Sequence, residues 1–223
     1  MKIAVIGTGK TGSKVLELLS EERVVGPFNT EHPPTIEKLK TADVAIIFVP
    51  GDAVDDILET VLKSGVAAAW ASTGYAWPED LDSRCKERGV TWVRASNFSL
   101  GMNIIRRCID VISEGSVLLN DPSFHIHEVH HTDKKDAPSG TAISWKNWLA
   151  REAEITSERK GDIKGIHTLR VSTESESIHL EHEAHKRTVF AEGAIWAAEQ
   201  LLQSDLEPGF YDFSTIFDKA MKE

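Results

Sequence analysis

The sequence predicts an α/β protein: a doubly wound parallel sheet followed by a second, α+β region. Three observations indicate this class. Short apolar runs alternate with helix-like segments through the first 95 residues, which is typical of parallel strands joined by crossover helices. A Gly-x-Gly-x-x-Gly pattern directly follows the first apolar run. In the C-terminal half, apolar and polar positions alternate over 177–187, which is typical of a half-buried strand.

The first predicted strand, Ile3–Ile6, leads into the glycine pattern and then into a helix over 13–19. Glycines at this spacing permit a tight turn and a close approach of the backbone to a pyrophosphate at the helix N-terminus. The alternative is a glycine-rich turn that only packs the helix on the sheet. The residues assigned to dinucleotide binding are Gly7, Thr8, Gly9, Lys10, Thr11 and Gly12.

The same alternation continues along the N-terminal half. It predicts strands over 23–26, 43–50, 66–71 and 90–95 and helices over 35–41, 53–63 and 79–88. Because ligands of such sheets gather at the carboxyl ends of the strands, the last two strands end in further candidate cofactor contacts. These contacts are Ala71, Ser72, Thr73, Ser96, Asn97 and Phe98. Ordinary turn chemistry is the alternative for them.

The end of the second strand bears on the type of cofactor. An acidic residue there is typical of NAD binding, and an arginine is typical of NADP binding. The segment 27–31 reads Pro-Phe-Asn-Thr-Glu and has neither signal in place. The sequence therefore leaves NADH and NADPH as equal candidates.

The C-terminal half has a different organisation. It predicts helices over 102–112, 141–154, 193–202 and 215–222 and strands over 124–131, 165–173 and 177–187. In the last strand Ile178, Leu180, His182 and Ala184 alternate with polar residues, which indicates one buried face.

The loop between the strand 124–131 and the next helix concentrates charged and polar groups. It contains His130, His131, Lys134 and Lys135 and ends in Ser139-Gly140-Thr141. A helix N-terminus offers backbone N–H groups and a partial positive charge, which suit a carboxylate or a phosphate. These residues predict a pocket for a small anion with a proton donor beside it. The alternative is a solvated loop with a capped helix.

Composition and charge exclude several classes of protein. The net charge of −10 argues against nucleic acid as a partner, because phosphate binding needs a basic surface. Cys85 and Cys108 form no Cys-x-x-Cys pair, so no zinc or redox motif is present and a reducing, cytoplasmic location is expected. The apolar run at the N-terminus is too short for a signal peptide or a membrane span.

Histidines are dense between residues 125 and 185, so a metal site must be considered. No His-Glu-x-x-His motif occurs, and alternation along strands points neighbouring side chains to opposite faces. We therefore predict no metal, and we expect His125, His179 and His185 to be polar residues of the surface or of an interface.

Three segments carry a resemblance to a known family. Residues 130–142 read His-His-Thr-Asp-Lys-Lys-Asp-Ala-Pro-Ser-Gly-Thr-Ala, residues 97–101 read Asn-Phe-Ser-Leu-Gly, and residues 190–194 read Phe-Ala-Glu-Gly-Ala. With the glycine loop, they resemble the 4-hydroxy-tetrahydrodipicolinate reductases, also called dihydrodipicolinate reductases, of the diaminopimelate–lysine pathway. The family pattern at the first segment is His-His-x-x-Lys-x-Asp-x-Pro-Ser-Gly-Thr-Ala. Ala71 departs from the family, which usually has glycine there.

The resemblance implies a role for each matching residue. His130 matches the proton donor or acceptor, Lys134 the second catalytic residue and His131 a substrate contact. The turn that holds a substrate carboxylate matches Ser139, Gly140 and Thr141. The implied fold has a Rossmann-like dinucleotide-binding domain at 1–98 plus 195–223 and an α+β substrate-binding and oligomerisation domain at 99–194.

The implied activity is the reduction of 4-hydroxy-tetrahydrodipicolinate (dihydrodipicolinate) to tetrahydrodipicolinate by NADH or NADPH. The implied partners are a small dicarboxylate substrate and further copies of the chain in a homotetramer, with no membrane and no nucleic acid. Three alternatives remain: a nicotinamide dehydrogenase for an amino acid or a sugar, a non-catalytic NAD(P)-sensing protein, and a histidine metal hydrolase.

Overall fold

The computed structural model describes residues 1–203 and 205–222, which contain ten strands and eight α-helices. The strands are β1 (Ile3–Ile6), β2 (Val24–Phe28), β3 (Val44–Ile47), β4 (Ala67–Trp70), β5 (Thr91–Arg94), β6 (Ser123–His130), β7 (Glu154–Arg159), β8 (Ile166–Ser172), β9 (Ser177–Glu183) and β10 (Gly209–Asp212). The α-helices are α1 (Gly12–Leu18), α2 (Ile36–Leu39), α3 (Val54–Ser64), α4 (Leu81–Arg88), α5 (Leu100–Gly115), α6 (Gly140–Leu149), α7 (Thr188–Gln203) and α8 (Phe213–Ala220).

The first of two compact units comprises Met1–Leu100 and Thr188–Glu223. Its six strands are all parallel in the order β10-β5-β4-β3-β1-β2. One apolar core contains residues of α3 and α4, and a second contains residues of α1, α7 and α8. Strands buried on both faces read as continuous apolar runs, as β1 and β3 do. The predicted doubly wound parallel sheet is therefore confirmed.

Helix α7 lies close to this sheet because its packed face consists of small side chains. Ala191, Ala194 and Ala198 are fully buried. A Cβ atom at Gly193 would lie 1.7 Å from the carbonyl oxygen of Phe98, so only glycine permits this approach. Gly193 thereby allows α7 to pack directly against the turn that follows β5.

The second unit, Gly101–Arg187, has a four-stranded sheet in the order β7-β6-β8-β9. Strand β6 pairs with β7 in parallel and with β8 antiparallel. Trp145 and Leu149 of α6 and Ile109 of α5 form a core with Ile126 and Leu169 of the sheet. This arrangement confirms the predicted α+β region.

Strands β7 and β10 are absent from the predicted elements. The helix predicted over 141–154 ends at Leu149, because Ala150 takes a left-handed conformation with φ 50°. Strand β7 follows at an edge of its sheet and has no buried residue, so it lacks an apolar pattern. Strand β10 has four residues and is recognised only through its pairing with β5.

Two further differences concern β9 and α7. Only Leu180 and His182 of β9 are partly buried, and Ile178 is exposed, so the predicted buried face is incomplete. The predicted domain boundary at 194/195 falls inside α7. In the structure the boundary lies at 187/188, because the buried face of α7 belongs to the core of the first unit.

Candidate active site

In the first unit, the three glycines of the loop after β1 have different roles. A Cβ atom at Gly7, which has φ +92°, would lie 2.3 Å from the carbonyl oxygen of Phe48, and one at Gly12 would lie 1.8 Å from the carbonyl oxygen of Gly7. Both glycines are required by packing. A Cβ atom at Gly9 would meet nothing within 4 Å. Gly9 therefore leaves open space in which a ligand could approach the backbone of the loop.

A cavity of about 430 Å³ lies beside this loop, within the first unit. Gly7, Thr8 and Gly9 line one side of it. Lys10, Thr11 and Gly12 are in the same loop but do not line the cavity. The remaining lining residues come from the ends of β1, β2 and β3 and from α3: Ile6, Asn29, Thr30, Pro33, Pro34, Phe48, Val49, Pro50, Ala53, Asp56 and Ile57. Mostly apolar walls with a few polar groups suit a flat heterocycle such as a nucleotide base.

The turn after β4 contains an unsatisfied polar atom. Ser72 is buried, and its Oγ has no hydrogen-bond partner. A buried hydroxyl without a partner is costly, so this atom is a candidate contact for a ligand. Ala71 is half-buried and Thr73 is exposed. A Cβ atom at Gly51 would lie 2.6 Å from the carbonyl oxygen of Thr73. The turns after β3 and β4 therefore pack closely against each other.

The turn after β5 contains three of the predicted cofactor contacts, Ser96, Asn97 and Phe98. Ser96 is exposed, and Oδ1 of Asn97 accepts a hydrogen bond from the Ser99 N–H at 2.8 Å. The side chain of Phe98 is 1% exposed, and its ring centroid lies 4.8 Å from that of Phe213. Phe98 therefore supports the turn from the core, and only its backbone remains a candidate for a cofactor contact.

In the second unit, His130 is the last residue of β6. Alternation along the strand places the side chains of Glu128 and His130 on the same face. Glu128 is completely buried, and His130 is 7% exposed. Oε2 of Glu128 makes a short hydrogen bond with Nδ1 of His130. The two residues thus form a buried carboxylate–imidazole pair.

Glu128 has further partners besides His130. Arg159 of β7 donates from Nη1 to Oε2 at 3.0 Å and from Nη2 to Oε1 at 2.9 Å. The backbone N–H of Ser139 donates to Oε1 at 3.2 Å. Burial by itself would raise the pKa of Glu128, but hydrogen bonds from Arg159, Ser157 and His130 outweigh it and lower the pKa to about 2. Glu128 is therefore a carboxylate at neutral pH.

Arg159 also holds the loop that follows β6. Its Nε donates to the carbonyl oxygen of Lys134 at 3.3 Å, and its Nη2 donates to that of Asp136 at 2.6 Å. Nη1 donates in addition to the carbonyl oxygen of Glu158 at 2.7 Å. With the two bonds to Glu128, all five N–H donors of the guanidinium are used. The side chain of Lys134 is 23% exposed, and its Nζ lies 2.8 Å from a carboxylate oxygen of Asp136.

The helix α6 begins at this loop with Ser139 as its N-cap. Oγ of Ser139 accepts the N–H of Ala142 at 3.2 Å and lies 3.0 Å from Nε2 of His167. Ser139 is 2% exposed, so its side chain and its N–H are both engaged inside the protein. The next two N–H groups, those of Gly140 and Thr141, have no acceptor within the helix. They are the groups best suited to bind an anion here.

Three imidazoles, those of His130, His131 and His167, occur near this loop, and the two buried ones have lowered pKa values. Burial lowers the pKa of His130, and Lys134 and Arg159 lower it further, whereas Glu128 opposes them. Burial also lowers the pKa of His167, to about 3, with His130 adding to the effect. The rings of His130 and His167 meet edge to face with centroids 5.0 Å apart. His131 is half-buried at the start of the loop.

Three residues of this network have no role in the sequence analysis: Glu128, Arg159 and His167. Glu128 could have been found, because it precedes His130 by two positions on a predicted strand and must share its face. His167 lies on a predicted strand, but nothing local points to Ser139. Arg159 could not be found, because β7 itself is not predicted. Within residues 1–203 and 205–222, no three His, Cys, Asp or Glu side chains are grouped closely enough to hold a metal ion.

The glycine loop at the first strand of a doubly wound sheet, together with a second α+β unit bearing a buried carboxylate–imidazole pair, places the chain among the two-domain oxidoreductases with a Rossmann-like domain. A family model described as "Dihydrodipicolinate reductase, C-terminus" matches residues 101–217. A second family model, described as "CoA binding domain", matches residues 1–112.

Curated relatives specify the family. The 4-hydroxy-tetrahydrodipicolinate reductase of Thermosipho africanus is 34% identical over 221 residues, which cover 99% of each chain. The enzyme of the same name from Bdellovibrio bacteriovorus is 30% identical over 235 residues, covering 100% of this chain and 99% of the relative. The chain belongs to the dihydrodipicolinate reductase family, which confirms the resemblance seen in the sequence.

Solved structures agree on the fold. A dipicolinate-bound dihydrodipicolinate reductase from Paenisporosarcina sp. TG-14 superposes with a TM-score of 0.75 at 17% identity, covering 97% of this chain and 99% of that one. A DAP dehydrogenase of C. glutamicum in complex with DAP has a TM-score of 0.56 at 11% identity, covering 100% of this chain and 98% of that one. No helix in the described part of the chain combines the length and the apolar character that a membrane crossing requires.

Proposed function

We propose that this protein reduces 4-hydroxy-tetrahydrodipicolinate (dihydrodipicolinate) to tetrahydrodipicolinate with NADH or NADPH, a step of lysine and diaminopimelate biosynthesis. The observation that carries the proposal is the contact of one buried carboxylate, Glu128, with both His130 and the N-cap of α6. A proton donor and an anion-binding helix terminus are thereby held side by side. A dicarboxylate that must be protonated during reduction needs both.

The substrate carboxylate is assigned to the first turn of α6. The N–H groups of Gly140 and Thr141 and the Thr141 hydroxyl are suited to bind it, and the partial positive charge of the helix terminus adds to the attraction. Ser139 contributes by capping the helix, since its own N–H is bonded to Glu128. His131 is proposed as a contact to the substrate.

His130 is proposed as the proton donor. Its Nδ1 is occupied by Glu128, so Nε2 is the nitrogen that can exchange a proton with a substrate. The 4-hydroxyl group leaves as water to give dihydrodipicolinate; one of its ring carbons then receives a hydride, and the neighbouring carbon receives a proton from the imidazolium of His130. Lys134 is proposed to assist through its positive charge, which stabilises anionic charge on the substrate. Positioned proton transfer contributes a factor of roughly 10² to 10⁴.

A nicotinamide cofactor is assigned to the first unit. When bound, it supplies the hydride. The residues present fit such a group: the loop 7–12 offers backbone N–H groups, Gly9 leaves space, and the partly apolar cavity beside the loop suits a base. The unpartnered Oγ of Ser72 is a further contact for it. Thr73, Ser96 and Asn97 are proposed as more peripheral contacts.

The test couples the purified protein to dihydrodipicolinate synthase and follows the loss of NADH or NADPH absorbance in separate reactions. We expect oxidation of at least one cofactor only when the synthase and its substrates are present. Cofactor binding without any oxidation would refute the proposal and favour a sensing protein. Oxidation with an amino acid or a sugar instead would favour another dehydrogenase.

Assembly is a further proposal. The sheet of the second unit has one face covered by α5 and α6, and the other carries polar side chains that include His125, His127 and Arg170. The rings of His125 and His127 are stacked with centroids 6.3 Å apart. We propose that this face contributes to a homotetramer, which light scattering after size-exclusion chromatography tests directly. A monomeric mass would contradict it. A cytoplasmic location stays a prediction.

A further inference from the structure

We propose that Glu128 is a positioning residue that decides which nitrogen of His130 carries the exchangeable proton and keeps His130 aligned with the first turn of α6. This inference rests on the proposed function, in which His130 is the proton donor. It adds to that function a residue that never needs to touch the substrate.

The contact with Nδ1 determines the state of the imidazole. An ionised carboxylate accepts hydrogen bonds and cannot donate one. Since Glu128 is ionised and bonded to Nδ1, Nδ1 of His130 must carry a hydrogen in the neutral as well as the charged ring. The titrating position is therefore Nε2. A neutral side chain at residue 128 would permit the other tautomer, in which the proton lies on Nε2 and Nδ1 accepts.

The other contacts of the same carboxylate align strand and helix. Oε1 accepts from the Ser139 N–H and from Nη2 of Arg159, whereas Oε2 accepts from Nη1 of Arg159 and pairs with His130. Each oxygen thus has at least two partners. Because Ser139 is the N-cap of α6, one rigid group spans the proton donor and the anion-binding turn. Such alignment matters because misplacement of a reacting group by about 1 Å can cost about 10²-fold in rate.

The charged and titratable groups that face His130 come from four elements. Glu128 lies on its own strand, Lys134 on the following loop, Arg159 on β7 and His167 on β8. Of these, Glu128 raises the pKa of His130, and Lys134 and Arg159 lower it. Loss of the carboxylate therefore leaves only opposing charges, so that the imidazolium becomes harder to form.

A purely structural ion pair is the competing explanation, because buried Glu–Arg pairs occur without a catalytic role. Such a pair would affect folding but would leave the pH profile of activity unchanged in a folded variant. The first measurement tests the contact with His130 and uses the wild-type chain without any substrate. We expect the ¹⁵N chemical shifts of His130, assigned through its loss in His130→Ala, to show the Nδ1–H tautomer at a pH above its titration. Observation of the Nε2–H tautomer would overturn the inference.

The second measurement compares Glu128→Gln with a matched control, Glu158→Gln. The side chain of Glu158 lies 3.8 Å from Nε2 of His127 and is about half exposed, so it is a carboxylate beside a different histidine. We expect Glu128→Gln to lower kcat by about 10- to 100-fold, within the total contribution of general acid catalysis. Activity that depends on the imidazolium declines as pH rises, and this decline should move to lower pH in Glu128→Gln but not in Glu158→Gln.

The conservative variant Glu128→Asp retains the charge, and we expect it to restore the pH profile and the Nδ1–H tautomer in part, although a shorter side chain weakens the link to Ser139. An unchanged kcat and pH profile in a folded Glu128→Gln protein would refute the inference. If that variant does not fold, the tautomer of His130 in the wild-type protein still tests the inference. An inactive wild type would refute the proposed function instead and would leave the tautomer measurement valid.

Discussion

Arg159 and Glu128 form a two-fold hydrogen-bonded ion pair, with distances of 3.0 and 2.9 Å, between two strands that are neighbours in one sheet. The carboxylate is completely buried, and the guanidinium side chain is 20% exposed. The pair joins the strand that carries His130 to the loop that carries Lys134. The geometry around both proposed catalytic residues thus depends on one arginine.

Arg159→Lys should disturb this geometry although the charge is retained, because an ammonium has three donors and cannot match the carboxylate with two parallel bonds. We expect lower kcat and a loss of unfolding free energy up to the 3–5 kcal/mol that is typical when a buried pair is broken. Steady-state kinetics and urea denaturation measure both. Arg84→Lys, at an exposed pair with Glu59, is the control and should cost 0–1 kcal/mol. Equal effects of the two changes would contradict this account.

His130→Ala should separate chemistry from cofactor binding. We expect kcat to fall by roughly 10²- to 10⁴-fold, because the proton donor is lost. Binding of NADH or NADPH, measured by fluorescence titration, should be unchanged, because the proposed cofactor contacts all belong to the first unit. His131→Ala is the matched comparison and should act mainly on KM. Unchanged turnover in His130→Ala would remove His130 from the mechanism.

Thr141→Val should mainly raise KM. The change keeps the shape of the side chain but removes the hydroxyl at the first turn of α6, where a carboxylate is proposed to bind. A hydrogen bond to a charged group contributes about 1.5–3 kcal/mol, so we expect KM to rise about 10- to 100-fold. Thr141→Ser retains the hydroxyl and should stay near the wild type. A large loss of kcat at constant KM would argue against a ground-state contact.

Gly12→Ala should lower the stability of the fold, whereas Gly9→Ala should weaken cofactor binding. A methyl group at residue 12 would lie 1.8 Å from the carbonyl oxygen of Gly7, so we expect a lower melting temperature. A methyl group at residue 9 meets no protein atom within 4 Å, so stability should be retained. If the loop binds the pyrophosphate, Gly9→Ala should nevertheless weaken cofactor binding. Full affinity in a stable Gly9→Ala protein would place the cofactor elsewhere.

The ionised carboxylate of Glu128 should stabilise the folded protein at neutral pH, and this stabilisation should be lost in acid. Its pKa is lowered from an ordinary value of 4.5 to about 2 in the folded chain, so the folded state favours the ionised form. The contribution is complete above pH 4.5 and is lost as pH falls from there to about 2. Urea denaturation at several pH values should show this decline in the wild type and a weaker one in Glu128→Gln. Identical pH dependence in the two proteins would contradict the lowered pKa.

The first half of the molecule could be predicted in detail because its signals are local. Strands such as β1 and β3 are buried on both faces and read as unbroken apolar runs, and the glycine loop stands directly between a strand and a helix. The loop from His130 to Thr141 could also be predicted as a candidate site, since the N-cap and the paired histidines lie close together in sequence. Strand β7 was missed because an edge strand without buried residues leaves no apolar period.

The sequence by itself determined the doubly wound sheet, the α+β region, the family and the stretch that carries the proposed chemistry. Only the tertiary structure decided which side chains from other strands surround His130. Strand register brings Arg159 opposite His130 on one side and His167 opposite Glu128 on the other. A slip of one residue in either pairing would turn these side chains to the opposite face. Register depends on contacts between distant segments, and no local pattern of residues encodes it.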